Sequence, residues 1–153
     1  MESLKIQGRI KMDCHDKDGN LKWSSGWISN GITNAGKAQI ALLAGDATAV
    51  PFTYIAVGTS GTAFVASQTA LQGELTDTGL ARMSGTISRV TTTVTNDTLQ
   101  VYGTWAVTGS KTVEEVGLFN DASAGTMLGR ALTGSKALVN LDQLDIYYQV
   151  KFA

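Results

Sequence analysis

At the end of this chain, Leu144, Ile146, Tyr148, Val150 and Phe152 alternate with Asp145, Tyr147, Gln149 and Lys151. A period of two sends successive side chains to opposite faces of a strand, so the run predicts a β-strand with one dry face and one wet face. It ends at the last residue but one, and the C-terminus is therefore expected to be a paired strand rather than a tail. Burying the five apolar side chains would contribute roughly 8–15 kcal/mol as an upper bound, which assigns the strand to the core. The stretch from Thr112 to Phe152 has the same character throughout: short β-patterned runs joined by small-residue turns, with no catalytic constellation among them. A chain of this kind is expected to act by its surfaces.

Composition agrees with a sheet protein. The 153 residues suffice for one domain with a real core. The charged fraction of 16% is low, Gly is abundant at 17 residues, and there is a single Pro, Pro51. That is a β-rich chain with many tight turns rather than a disordered one. The formal net charge is −1 and no Lys/Arg block exists. Tight nucleic-acid binding needs several coordinated phosphate contacts, so no nucleic-acid partner is expected. Low net charge suits a protein that packs against copies of itself or against a partner. One cysteine, Cys14, allows no intrachain disulfide, and no apolar run approaches the length of a transmembrane helix. The N-terminus alternates polar and apolar residues and does not read as a signal peptide, so synthesis in a cytoplasm and no membrane partner are expected.

In the N-terminal run, Leu4, Ile6, Ile10, Met12 and Cys14 fall on one face and Lys5, Gln7, Arg9, Lys11 and Asp13 on the other. Gly8 lies on the apolar face and marks a bend or close packing. His15 to Asn20 reads as a turn, with Asp18-Gly19 able to supply positive φ, and Leu21 to Ile28 as the returning strand. Residues 1–28 are thus predicted to form a β-hairpin or arm and 29–153 a β-sandwich domain, compact as a whole. Thr33 to Ala44 predicts one helix, N-capped by Thr33 or Asn34 and closed by Gly45 at C′. Ala35, Ala38, Ile40, Leu42 and Leu43 give it an apolar stripe, and at about three turns it must pack on a sheet. Phe52 to Gly58 reads as a buried strand and Thr59 to Thr78 as a loop. Leu80–Val94 and Thr98–Thr108 flank Thr95-Asn96-Asp97 as a long hairpin. Val90 and Val94 are out of phase with Met83, Gly85 and Ile87, which predicts a bulge near Ser88 or Arg89. Strands at Thr112–Phe119, Thr126–Leu132 and Ala137–Phe152, separated at Ala122–Gly125 and Thr133–Ser135, complete eight or nine strands and one helix. The fold class is mainly β: an antiparallel β-sandwich or jelly-roll-like barrel with one short α-helix at about residues 33–44.

Candidate chemistry is sparse. Asp16-x-Asp18-Gly19-Asn20 lacks the calcium-loop pattern: counted from Asp16, Gly19 falls at position four and Trp27 at position twelve, where Gly at six and Glu at twelve are needed. His15 and Cys14 have no second His or Cys to close a metal site, and neighbours on a strand point to opposite faces, which excludes a Cys–His nucleophile. The same argument separates Glu114 from Glu115, while Asp142 and Asp145 would need a distant partner to do carboxylate chemistry. No phosphate-cradling, nucleophile-elbow or zinc-protease motif is present. The reading is therefore of a non-enzyme with no cofactor and no metal. Trp23 and Trp27, four apart on a strand, share a face as core cover or interface anchors. With the hairpin's apolar face they make a candidate interface of Leu4, Ile6, Arg9, Ile10, Met12, Trp23 and Trp27.

The segments GITNAG (31–36) opening a helix, FTYIAVGTSGTAF, SQTALQGEL, GLARMSGTISRVTTTVTNDTLQ and VEEVGLFNDASAGTMLGRALTG, with the closing alternating strand, resemble small tailed-bacteriophage virion proteins. The resemblance covers Ile32 to Phe152, and EVGLFN followed by GTMLxR is its most specific part. It implies a structural virion component, most like a capsid decoration (cement) protein. Its partners would be the major capsid protein and two further copies of itself, on the capsid surface of the virion. Some similar proteins are base domains of tail fibres, which makes a tail-fibre or tail-tip component the alternative. No shaft or receptor-binding tip follows the last strand, a departure that favours the decoration reading. On this reading the 1–28 hairpin is an arm reaching a neighbouring subunit, and residues 2–16 are dispensable for folding. A third reading, from another class, is a carbohydrate-binding β-sandwich with Trp23, Trp27, Tyr102 and Tyr147 as its platform.

Overall fold

The computed structural model describes residues 2–153. The alternating N-terminal run forms β1 (Ile6–His15), and β2 (Leu21–Ile32) returns beside it. Asp16 fixes the turn between them, its carboxylate accepting from the Asp18 and Asn20 N–H groups at 2.9 Å. The Thr33 hydroxyl then caps α1 (Asn34–Gly45) by accepting from the Gly36 N–H at 2.8 Å. The remaining strands are β3 (Tyr54–Gly58), β4 (Met83–Ser84), β5 (Thr86–Val90), β6 (Thr98–Ala106), β7 (Lys111–Phe119), β8 (Met127–Leu138) and β9 (Gln143–Phe152).

The nine strands form one antiparallel sheet in the order β4-β3-β7-β8-β2-β1-β9-β6-β5. Its two end strands, β4 and β5, are one stretch of chain interrupted only at Gly85, so the sheet nearly closes on itself into a barrel. At that corner the Gly85 N–H donates to the Thr53 carbonyl at 2.7 Å. β2 makes the opposite corner: Leu21 to Asn30 run beside β1, whereas Gly31 and Ile32 pair with β8. A nearly closed sheet leaves few backbone groups unpaired at its edges. The fold is the mainly β class with one short helix that the alternation predicts.

The inward faces meet in one core, and a smaller apolar cluster of Ala56, Phe119 and Met127 is covered by Leu71 of the 59–82 connection. Ile10, Met12 and Cys14 of β1, Val101 and Trp105 of β6, Val116 and Leu118 of β7, and Leu144, Ile146, Tyr148 and Val150 of β9 are all buried. Phe152 reaches the rim and is only partly covered. Gly8 faces inward opposite Asn30, where a Cβ would overlap the Asn30 amide; close packing is the reason for this glycine. That amide donates to the Tyr148 hydroxyl, and burial pushes the Tyr148 phenol above its ordinary range. α1 adds Ile40 and Leu43 to the core margin.

The long connection 59–82 has no helix and is held by charge. Glu115 and Arg130, cross-strand neighbours on β7 and β8, are both fully buried and joined at 2.7 Å. Glu115 also accepts from the Ser60, Gln72 and Gly73 N–H groups at 2.8–3.0 Å. Arg130 donates to the Ser60 and Thr62 carbonyls at 3.1 and 2.7 Å. Arg82 grips Glu74 through two nitrogens, at 2.7 and 3.2 Å, and donates to the Asp121 and Ala124 carbonyls while lying 3.7 Å from the Phe119 ring centroid.

Four expectations change. The 1–28 hairpin is no arm: β1 is paired along its whole length with β9 and sealed on its other side by β2, in the middle of the sheet. The phase break in 80–94 is no bulge at Ser88 or Arg89, because β5 pairs with β6 in unbroken register; the chain passes from one end of the sheet to the other at Gly85 instead, and Val94 lies in the turn beyond the strand. Thr133-Gly134-Ser135 does not separate two strands. It is a bulge inside β8, where Val113 faces Lys136 and Glu115 faces Leu132, with Gly134 at φ 65°. Gly45 is the last helical residue rather than a left-handed C′, and Asp46 follows in extended conformation as the C-cap.

Removing residues 2–16 deletes β1 and leaves β2 and β9 facing one another unpaired, so the truncated chain is expected to be unfolded by circular dichroism; a cooperative thermal transition would refute the central placement of β1. Glu115→Ala leaves Arg130 as a buried unpaired charge and frees three backbone N–H groups. It is expected to cost about 3–5 kcal/mol in urea unfolding, and a loss below about 1 kcal/mol would sink the assignment.

Candidate interaction surface

The strands from β2 to β5 present one broad outer face, and its residues follow from register. One cross-strand row reads Trp27, Lys11, Tyr147, Tyr102 and Thr86. The next reads Ser29, Arg9, Gln149, Gln100 and Ser88, and on the other side lies Ser24, Asp13, Asp145 and Thr104. These rows are tied together. The Arg9 guanidinium lies 4.0 Å from the Trp27 ring centroid, and the Lys11 ammonium lies 4.9 Å from that of Tyr147. Tyr102 and Tyr147 pack with centroids 5.0 Å apart. Arg9 Nε donates to Gln149 Oε1 at 2.9 Å, and Gln149 donates in turn to Gln100 at 2.8 Å.

Asp13 and Asp145 stand directly opposite one another, a like-charge pairing that costs stability unless it is compensated. Asp145 accepts from the Tyr102 hydroxyl and from Gln143 Nε2, both at 3.1 Å, and His15 Nδ1 stands 3.5 Å away. Lys11 lies 3.9 Å from Asp13. Burial first, and Asp145 second, push the Tyr102 phenol up. This is a hydrogen-bonded polar lattice with no nucleophile–base pair in it.

Cys14 points into the core on the side opposite His15. Burial, reinforced by the nearby Asp142, pushes its thiol up to about 11, so it stays protonated at neutral pH. Asp142 is engaged by Lys22 at 2.8 Å and by the Val139 N–H at 2.9 Å. Against the desolvation that raises it, these partners hold its carboxyl below the usual range. Glu114 accepts from the Ser135 hydroxyl at 3.0 Å, while Glu115, just past the register shift that follows Val113, is buried beneath residues 60–73 rather than in the barrel core. Among the described residues no three His, Cys, Asp or Glu side chains gather as a metal site. No described helix is long and apolar enough to cross a membrane.

The sequence-derived interface residues scatter. Ile10 and Met12 are fully buried core, so they offer nothing to a partner. Ile6 is partly covered against the core, and Leu4, ahead of β1, is 71% exposed. Arg9 and Trp27 do lie together on the outer face. Trp23 does not join them. Between Lys11–Trp27 and Asp13–Ser24 the pairing gains one residue on β2, and Gly26 takes φ 63° in that bulge. The extra residue reverses the phase, so Trp23 packs against the core and donates to the Ala137 carbonyl at 3.2 Å, while Trp27 is 43% exposed. The glycan platform loses Trp23 for the same reason. Lys37, Lys151 and Gln149, which border this face, were not singled out by any motif. Exposed Leu21, Val139 and Leu141 lie around the hairpin turns. No family model, curated protein or solved structure matches this chain.

The bulge makes an unequal pair of tryptophans. Trp23→Ala is expected to cost about 2 kcal/mol or more of unfolding free energy, and Trp27→Ala less than about 1 kcal/mol. Equal losses in parallel urea titrations would contradict the opposite-face placement.

Proposed function

We propose that this protein is a structural component of a tailed-phage virion that binds the outer capsid lattice as a decoration protein, associating with copies of itself as a trimer. The observation that carries the reading is the division of labour among its charges: the buried Glu115 and Arg130 hold a loop, whereas Arg9, Lys11, Asp13 and Lys151 lie on a broad outer sheet face suited to contact. The resemblance of residues 32–152 to small virion proteins supports it. So does the placement of the sole thiol and the buried acids in structural rather than reactive settings. Stabilisation would follow from mass action: a protein that binds the expanded lattice better than its precursor shifts the shell toward the expanded form. The Arg9 guanidinium over Trp27 leaves less free aromatic face for sugar stacking, which weighs against the glycan reading.

Purified protein mixed with undecorated expanded heads is expected to co-sediment at hundreds of copies per particle. No binding to heads, with a few copies found on purified tails, would replace this reading with the tail-component alternative.

A further inference from the structure

Of the twelve Lys and Arg side chains, six form ion pairs among the described residues: Lys11, Lys17, Lys22, Arg82, Lys111 and Arg130. Of the six that do not, three converge on one place. Arg9 of β1, Lys37 of α1 and Lys151 of β9 line a groove of about 610 Å³ where the outer face meets the start of the helix. No Asp or Glu lines it. The nearest partners of its cations are neutral: Gln149 Oε1 for Arg9, at 2.9 Å, and the Thr93 hydroxyl for Lys151, at 2.7 Å. Gathering three like charges without a counterion opposes folding, and the one turn they touch is that of Thr93, through Lys151. Lys5, Arg89 and Lys136 are also without an ion pair but stand apart from this groove; only Arg9, Lys37 and Lys151 gather where one anionic ligand would meet all three.

We infer that this groove binds an acidic polypeptide segment. The Gln7 amide and the Ser29 hydroxyl beside the cations both donate and accept, which matches peptide groups as well as carboxylates. Ile6 and Ile32 supply apolar wall for aliphatic side-chain stems. No aromatic ring lines the groove, which argues against a sulfated sugar, whose rings favour stacking platforms. The volume lies within the range of pockets that bury most of a small ligand. The inference rests on the virion reading only for the source of the segment, the capsid surface; the groove itself is assayed without heads.

The test is a ¹⁵N-labelled NMR titration of the full chain with acetylated hexaglutamate, hexaglutamine, a heparin-derived hexasaccharide and inorganic phosphate in parallel. Hexaglutamate is expected to shift the amides of Lys37, Gln149 and Lys151 saturably, hexaglutamine not to, and added salt to weaken the binding. The double variant Lys37→Gln/Lys151→Gln should lose about tenfold in affinity, while Lys136→Gln, an unpaired cation away from the groove, should lose nothing. Wild-type shift mapping decides the matter should the double variant fail to fold. Absence of hexaglutamate shifts in the groove overturns the proposal, as does tighter binding of the hexasaccharide or equal binding of phosphate. Peptide binding without head binding would leave the groove standing and remove the capsid reading; head binding untouched by the double variant, with no peptide shifts, would do the reverse.

Discussion

The ion pair between Glu115 and Arg130 decides how the longest connection of the chain lies on the barrel. Both side chains are fully buried, an arrangement tolerated only when every remaining hydrogen-bonding position is filled. Here the filling partners are the backbone groups of residues 60–73, so satisfying the pair and placing the loop are one event. A stretch with no helix or strand of its own is thereby fixed, together with Leu71, which is buried against Ala56, Phe119 and Met127. Arg82 repeats the device one layer out, binding Glu74 and the turn at 121–124 together.

The sheet meets the problem of its edges by bending at two places. The corner at Gly85 lets one stretch of chain end the sheet on both sides, and the corner at Asn30–Gly31 lets β2 serve two neighbours. Between the corners, bulges on β2 and β8 change which side chains face out. The outer face owes its composition to them: the β2 bulge sends Trp27 out beside Arg9 and Lys11 and turns Trp23 in. Lys22 is the extra residue at a second irregularity, between the Cys14–Trp23 and His15–Leu21 pairs, and from there it reaches Asp142.

Charge on this protein is sorted by burial. Buried acids and bases are paired and structural, whereas the solvent-facing cations around Arg9, Lys37 and Lys151 face one another across an acid-free groove. The outer sheet face is therefore polar and cationic at one end and grades into the Asp13–Asp145 row at the other. Such a gradient orients a partner more than it tightens its binding.

The class of fold was legible in the chain because a period of two needs no tertiary information. The alternation at 144–152 and 6–14, a helix cap at Thr33 or Asn34 and the turn at 15–20 all act over a few residues, and these are present, whereas Leu4 lies exposed ahead of β1. Residues that change phase were not legible. A bulge at Gly26 or Gly134 depends on which strand lies alongside, and so the shared face assigned to Trp23 and Trp27, and the break placed at 133–135, were wrong. The hairpin could be seen but not its neighbour: only the pairing with β9, some 140 residues away, makes β1 a central strand rather than an arm. The candidate groove joins residues 9, 37 and 151, which no motif connects. Local periodicity, capping and turn chemistry are written in adjacent residues, whereas register, the pairing of Glu115 with Arg130, and the meeting of distant cations exist only once the sheet has closed.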